Sequence, residues 1–430
     1  MPVAIAGAVA ALAATIDTRL VMKTPYMRTP ERAEGLGQDR PGLGRAAVQN
    51  GPADREQQRG RGRKDVADIS RCPLTAPAGA IMFAGMSQQN VSITKDQSGR
   101  LTGAAGPGLV DLQVNGYVGF DFNNPLEQLT GEGLRRACEA MRRRGVVTIL
   151  ATVTTDAVSR MAARLSRVVE LRRQDELAAS IIAGFHVEGP LISPNDGPRG
   201  AHSAEYVVTP ADEPDLLERF QAAAEGMVRL LTLAPELPGA LELIEKATAA
   251  GVVVGLGHHE APPEIIDSAV RAGAKMCTHL GNGSHAMLPR LDNYLQHQLA
   301  DDRLAASFIA DGHHIPFPTL KNFLRAKQPP RSVLVTDAVA AADMPPGRHG
   351  VGRRSRQLDT DGAVRLAGTP YLAGSALRMD RAVLNVARHC DVSFETAWAM
   401  ASTQPAELVG LPRPGSISVD ISEEGFQLRQ

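Results

Sequence analysis

The sequence predicts an α/β chain whose main body is a closed (β/α)8 barrel of the TIM type. Short β-prone runs alternate with helix-like stretches over most of the chain, and such alternation implies parallel strands joined by crossover helices. The β-prone runs number eight, which fits a closed barrel. No G-x-G-x-x-G follows an early strand, so the doubly wound open sheet lacks its usual signature.

The first run is GLVDLQVNG, ending at Gly116, and a helix is expected from about Gly131 to Arg144. VVTILATVTT comes next, then a helix to about Arg173. The other runs are IIAGFHVEGP, VRLLTLAPE, VVVGLGHH, MCTHLGNG, ASFIADGHH and SVLVTDAVA, with helical segments between most of them. Beyond Ala342, RQLDTDGAVRLAG reads as a hairpin around Asp361 and Gly362, because Asp-Gly suits a tight turn. Helical segments follow near Leu377 to Cys390 and Ser393 to Leu408.

The ends of the chain have a different character. Residues 1–78 are expected to be a weakly ordered extension. From about Lys23 to Thr75 they are rich in Arg, Gly, Gln, Pro and Asp, and can bury too little surface to offset chain entropy. Met1 to Ile16 is apolar and alanine-rich, but no Lys or Arg precedes it and it is too short to span a bilayer. Residues 79–106, with a faint strand near Val91 to Thr94, and residues 411–430 are expected to form the two parts of a small, incomplete β-domain. Residues 107–410 are the barrel.

Composition narrows the function. Lys+Arg 46 against Asp+Glu 47 leaves a net charge of −1, so no global excess of charge points to nucleic acid or a membrane surface. The four cysteines are scattered without C-x-x-C spacing, as reduced thiols in a cytoplasm would be.

Polar residues collect where the apolar runs end: HVEGP, LGHH, THLGNG, ADGHH and VTDA. In a barrel these ends share one face, so residues far apart in sequence meet there. A single histidine in such a place is usually structural. Several imidazoles and carboxylates together are harder to explain as packing, because each is costly to bury without a partner. Glu188, His258 and His279 make up a common catalytic metal set of two imidazoles and one carboxylate. A metal bound there would bring a water towards neutral acidity, and Asp337 would serve as its general base. Taken alone, Asp337 would read as a turn or cap aspartate; beside the other three it reads as catalytic.

PGLVDLQVNG (107–116), HVEGP (186–190), GHH (257–259), THLGNG (278–283), IADGHH (309–314) and VTDA (335–338) occur in one order. This ordered set resembles the N-acetylglucosamine-6-phosphate deacetylases of the amidohydrolase superfamily, over about residues 106–410. The resemblance implies an amidohydrolase-type barrel that removes the N-acetyl group of an amino-sugar phosphate, a small-molecule partner, and a homodimer. It places His202 at the substrate, polarising the acetamide carbonyl or holding a hydroxyl. His314 falls at a sugar-binding position. Asn282 and Gly283 match a segment whose backbone N–H groups grip phosphate, and Arg290 matches a phosphate-binding arginine often supplied across a dimer interface.

Where many amidohydrolases carry His-x-His on the first strand, this chain has Gln113 and Asn115. Amides are poor ligands for a zinc-type ion, so one divalent ion is expected, Zn2+ or alternatively Fe2+, with Gln113 and Asn115 on the substrate side. The segment SHAMLPR after THLGNG departs from the family pattern and points to a reshaped phosphate end. Two rivals stand beside this reading: another amidohydrolase reaction, on an unphosphorylated sugar or a cyclic amide or by deamination, and a barrel that binds sugar phosphate without catalysis. Of the other histidines, His186 is read as support for Glu188. His259 is read as pointing away, and His297, His349 and His389 as surface or packing residues.

Overall fold

The computed structural model describes residues 91–350, 355–369 and 372–429. The apolar start, the Arg- and Gly-rich stretch and Cys72, all within the extension expected at 1–78, lie outside the described residues, as do 79–90.

Eight parallel strands follow one another in order around the sheet. They are Leu109–Val114, Val146–Thr154, Ile182–Glu188, Val228–Leu233, Val253–Leu256, Met276–Cys277, Ala305–Ile309 and Ser332–Val335. Seven of the eight fall inside the β-prone runs, and Ala305–Ile309 begins one residue before its run. They are largely buried on both faces, as strands covered by crossover helices must be. Helices Gly131–Arg143 and Val158–Arg173 lie where the sequence places them. The first begins where Thr130 accepts a hydrogen bond from Gly133 N–H, an N-cap that satisfies one of the orphan donors.

The barrel closes between its first and eighth strands, and there the backbone ladder is thin. A single bridge pairs Val114 with Ala338, and the N–H groups of Asn115 and Gly116 both donate to Ala338 O, at 2.8 and 3.0 Å. A buried side chain reinforces the seam. Asp111 accepts from Thr336 Oγ1 at 2.6 Å and from the N–H groups of Thr336 and Gln113, each at 3.2 Å. Burial pushes its carboxyl up to about 7 even with these donors.

The single helix expected from Ser393 to Leu408 is two helices, Phe394–Met400 and Thr403–Leu408. Pro405 has no N–H, and its ring would clash with the carbonyl of Ala401 in a continuous helix. That carbonyl instead accepts from Val110 N at 2.8 Å, which docks the break onto the first barrel strand.

Both ends of the described chain meet in a four-stranded antiparallel sheet: Ser92–Lys95, Leu101–Pro107, Ser416–Ser422 and Gly425–Leu428. Trp398 ties it to the barrel, donating from Nε1 to Pro107 O at 2.7 Å and stacking on Phe426. The hairpin read around Asp361 and Gly362 pairs Arg356–Leu358 with Val364–Leu366, and Gly347–His349 extends it to three strands.

Candidate active site

Four polar side chains end four barrel strands on one face. Glu188 is the last residue of the third strand, and His258, His279 and Asp337 each stand two residues beyond the fifth, sixth and eighth. His258, His279 and Asp337 all have positive φ, at 54°, 31° and 49°. Non-glycine residues seldom adopt this left-handed region, which costs about 1–3 kcal/mol each and persists only where the surroundings over-determine it. Here they do. His279 N–H donates to Ser307 Oγ at 2.7 Å, while the carbonyls of His258 and Asp337 accept from Ser193 and Ser375 N–H at 2.9 and 3.0 Å.

The three expected ligands converge. Glu188 Oε1 lies 3.2 Å from His258 Nε2 and 2.9 Å from His279 Nε2, and the two imidazole nitrogens are 3.1 Å apart. All three residues are buried. His258 Nδ1 sits 2.9 Å from Pro198 O, a pure acceptor, so Nδ1 carries the proton and Nε2 keeps its lone pair. A carboxylate oxygen and imidazole nitrogens that face one another across about 3 Å, out of water, form a donor set that fits a single divalent ion. Burial opposes the charge on Glu188, but the two imidazole rings that face it prevail and hold the carboxyl well below the usual range. The backbone packs closely here: a Cβ on Gly283 would come within 2.6 Å of His258 Nδ1.

Asp337 stands beside this set, on amide donors. Asn115 Nδ2 donates to its Oδ1 at 2.6 Å, and Gln113 Nε2 reaches both the same oxygen, at 3.2 Å, and Glu188 Oε1, at 2.9 Å. Burial, and then the nearby Glu188 charge, push the Asp337 carboxyl up to about 6.

A cleft of about 530 Å³ opens above these groups, and Glu188, His258, His279, Asp337 and Asn115 line its floor. His202, Asn282, Gly283 and His314 line it as well. Gln113 lies beneath it, and Arg290 is exposed outside it, in the segment before helix Tyr294–Ala300. The Asn282 N–H donates to His279 O at 2.9 Å within its own turn, and the side-chain amide donates to the same oxygen at 3.1 Å. His314 is held by Asp311, with Nδ1 2.6 Å from Oδ2.

His186 does not touch Glu188. Its Nε2 meets Thr232 Oγ1 at 2.7 Å, and Thr232 in turn meets Thr278, forming a polar thread across the barrel interior. His259 turns away, as expected, to Ala261 N and Gln298. His297 pairs with Asp292 on the surface, His349 bonds Pro345 O, and His389 stacks on Phe317. Sequence reasoning missed Thr155, Asp156, Arg160 and Tyr206, which line the cleft after the second and third strands, and Arg356 from the hairpin. Arg160 lies over the Tyr206 ring, 4.7 Å from its centroid.

The sequence profile described as the amidohydrolase family matches residues 105–420. The chain belongs to the amidohydrolase family. Among curated proteins, this amidohydrolase is 32% identical over 314 residues to the N-acetylglucosamine-6-phosphate deacetylase of Vibrio furnissii, a match covering 73% of this chain and 76% of that protein. It is 35% identical over 318 residues to the Bos taurus enzyme of the same name, covering 71% and 75%. Among solved structures, a mutant N-acetyl-D-glucosamine-6-phosphate deacetylase from Mycobacterium smegmatis, in complex with N-acetyl-D-glucosamine-6-phosphate, superposes with a TM-score of 0.68 at 29% identity. That match covers 76% of this chain and 85% of the other. The resemblance read from the strand-end motifs is therefore borne out.

Proposed function

We propose that this amidohydrolase hydrolyses the N-acetyl group of N-acetylglucosamine 6-phosphate, giving glucosamine 6-phosphate and acetate. The observation that carries the reading is the convergence of Glu188, His258 and His279 beside Asp337 at the floor of one cleft, in a chain whose curated relatives bear that enzyme name. Glu188, His258 and His279 would hold one divalent ion, zinc by preference for this donor set, with iron(II) as the alternative. When bound, such an ion acidifies a water and polarises the amide carbonyl.

The rest of the chemistry belongs to the chain. Asp337 takes the proton of the attacking water and delivers it to the departing nitrogen. Gln113 and Asn115 donate to the carboxylates and keep them aimed, which explains amides where other members of the superfamily carry ligands. His202 and His314, on the cleft wall, contact the sugar. Gly283 contributes a backbone donor at the phosphate end. We assign Arg290, exposed outside the cleft of its own chain, to the neighbouring subunit of a homodimer, where its planar fork suits phosphate. The described cysteines are free and buried, as suits a cytoplasmic enzyme.

The test is reconstitution. Chelator-treated protein should release no amine from N-acetylglucosamine 6-phosphate and should regain activity in step with one bound zinc per chain. Full activity in metal-free protein would contradict the reading.

A further inference from the structure

The segment Ser284 to Arg290, which follows the sixth strand and departs from the family pattern, is mostly exposed, and Met287 is 87% exposed. A surface loop of this kind, left to itself, is too mobile to keep a backbone donor aimed at a ligand. One residue in it is held at its backbone and at both ring nitrogens. His285 N–H donates to the Tyr294 hydroxyl at 2.9 Å, and His285 Nδ1 lies 3.2 Å from the same oxygen. On the other edge of the ring, Nε2 lies 3.4 Å from Glu260 Oε2. The loop after the third strand packs against it at Gly197, where φ is +95° and a Cβ would come within 3.1 Å of His285 Cα.

Both partners of His285 are themselves fixed. Tyr294 is the first residue of helix Tyr294–Ala300 and is buried. Asn293 caps that helix, its side chain accepting from Gln296 N–H at 3.0 Å. The Tyr294 ring packs on His259, with centroids 5.5 Å apart, and His259 Nε2 meets the Gln298 amide of the same helix at 2.7 Å. Glu260 Oε1 accepts from Ser193 Oγ at 3.0 Å and from the Asn195 side-chain amide. Its carboxylate therefore joins the loops after the third, fifth and sixth strands. A hydroxyl accepts and donates at once, so the one oxygen of Tyr294 holds both the backbone and the ring of His285. Two residues before His285 is Gly283, which packs against the His258 ring on the cleft wall.

We propose that Tyr294 is a positioning residue for the phosphate end of the cleft: with Glu260 it clamps His285, and the clamp holds the Gly283 backbone N–H in place for the substrate's phosphate. The proposal rests on the deacetylase reading above and deepens it. It makes preference for a phosphorylated sugar depend on a tyrosine hydroxyl that touches neither the sugar nor a reacting atom.

The test compares Tyr294→Phe with the wild type as zinc-loaded, full-length protein. The substitution keeps the ring on His259 and leaves the His285 N–H without its acceptor. The ratio of kcat/KM for N-acetylglucosamine 6-phosphate to that for N-acetylglucosamine should fall about tenfold, through KM for the phosphorylated sugar, with zinc content unchanged. Calorimetry with glucose 6-phosphate, which carries the phosphate and no acetamide, should show binding weakened by the same factor. Should Tyr294→Phe not fold, His285→Ala opens the same clamp from a ring that is one-third exposed and should give the same shift. Equal losses on both sugars would reveal a merely structural role and overturn the proposal, as would an unchanged ratio. If the wild type deacetylates no amino sugar, the functional reading fails, and the glucose 6-phosphate affinities alone decide the clamp. A wild type that does not bind glucose 6-phosphate overturns it.

Discussion

Asn115 Nδ2 donates to Asp337 Oδ1 at 2.6 Å, joining the end of the first barrel strand to the end of the eighth across the seam where the ladder is thinnest. The bond lets a structural weak point also aim the proposed base. Asn115→Ala should therefore leave zinc content near normal and lower kcat by roughly 10–100-fold, the usual scale for a lost orienting partner. Steady-state kinetics with metal analysis checks it. An unchanged kcat would show that Asp337 needs no such support.

Asp337→Asn removes the proton acceptor while keeping size and shape. Fold and bound zinc should survive, and turnover should fall by about 10²–10⁴-fold. Near-normal turnover in this variant would remove Asp337 from the mechanism.

The architecture was readable because eight apolar runs, each bounded by turn residues, repeat on a helix-and-strand rhythm. Glu188, His258, His279 and Asp337 were readable because strand ends of a barrel share one face. Other features depend on contacts that no local pattern encodes. The break at Ala401 reflects a carbonyl taken by Val110 in a distant strand, added to the restraint of Pro405. The bond from Asn282 N–H to His279 O belongs to a turn that begins at a left-handed histidine. Thr155 sits in a loop, Arg160 in the first turn of helix Val158–Arg173, Tyr206 at the end of a short 3-10 turn and Arg356 in the hairpin, and no motif marks any of them.

Asp111 makes a prediction about stability. Asp111→Ala would strand a buried hydroxyl and two buried N–H groups at the seam, and should destabilise the fold by about 2–4 kcal/mol. Asp111→Asn keeps an accepting oxygen and should cost less. Denaturant midpoints of the two variants test the ordering, and equal losses would contradict the staple.

The pH dependence follows from buried neutral imidazoles. Burial holds His186 and His259 down at about 4, against an ordinary value of 6.5. Between those values the unfolded chain binds protons that these two folded rings refuse, so their contribution to stability is full above pH 6.5 and is lost as pH drops towards 4, while the burial-raised carboxyls of Asp111 and Asp337 contribute in the opposite sense. The loss from each could reach about 3 kcal/mol. In metal-free protein, His259→Gln should flatten the fall in denaturation midpoint over this window. An unaltered slope would show that His259 is not held neutral by the fold.

The central claim is hydrolysis of an N-acetyl amino-sugar phosphate, and the most direct measurement is acetate release by zinc-loaded protein from N-acetylglucosamine 6-phosphate and from N-acetylglucosamine. The account predicts release from both or from the phosphorylated sugar alone, with kcat/KM for the phosphorylated sugar higher by about 10²-fold or more, the value of a charge-assisted phosphate contact. No acetate from either sugar, with zinc bound at Glu188, His258 and His279, would contradict it.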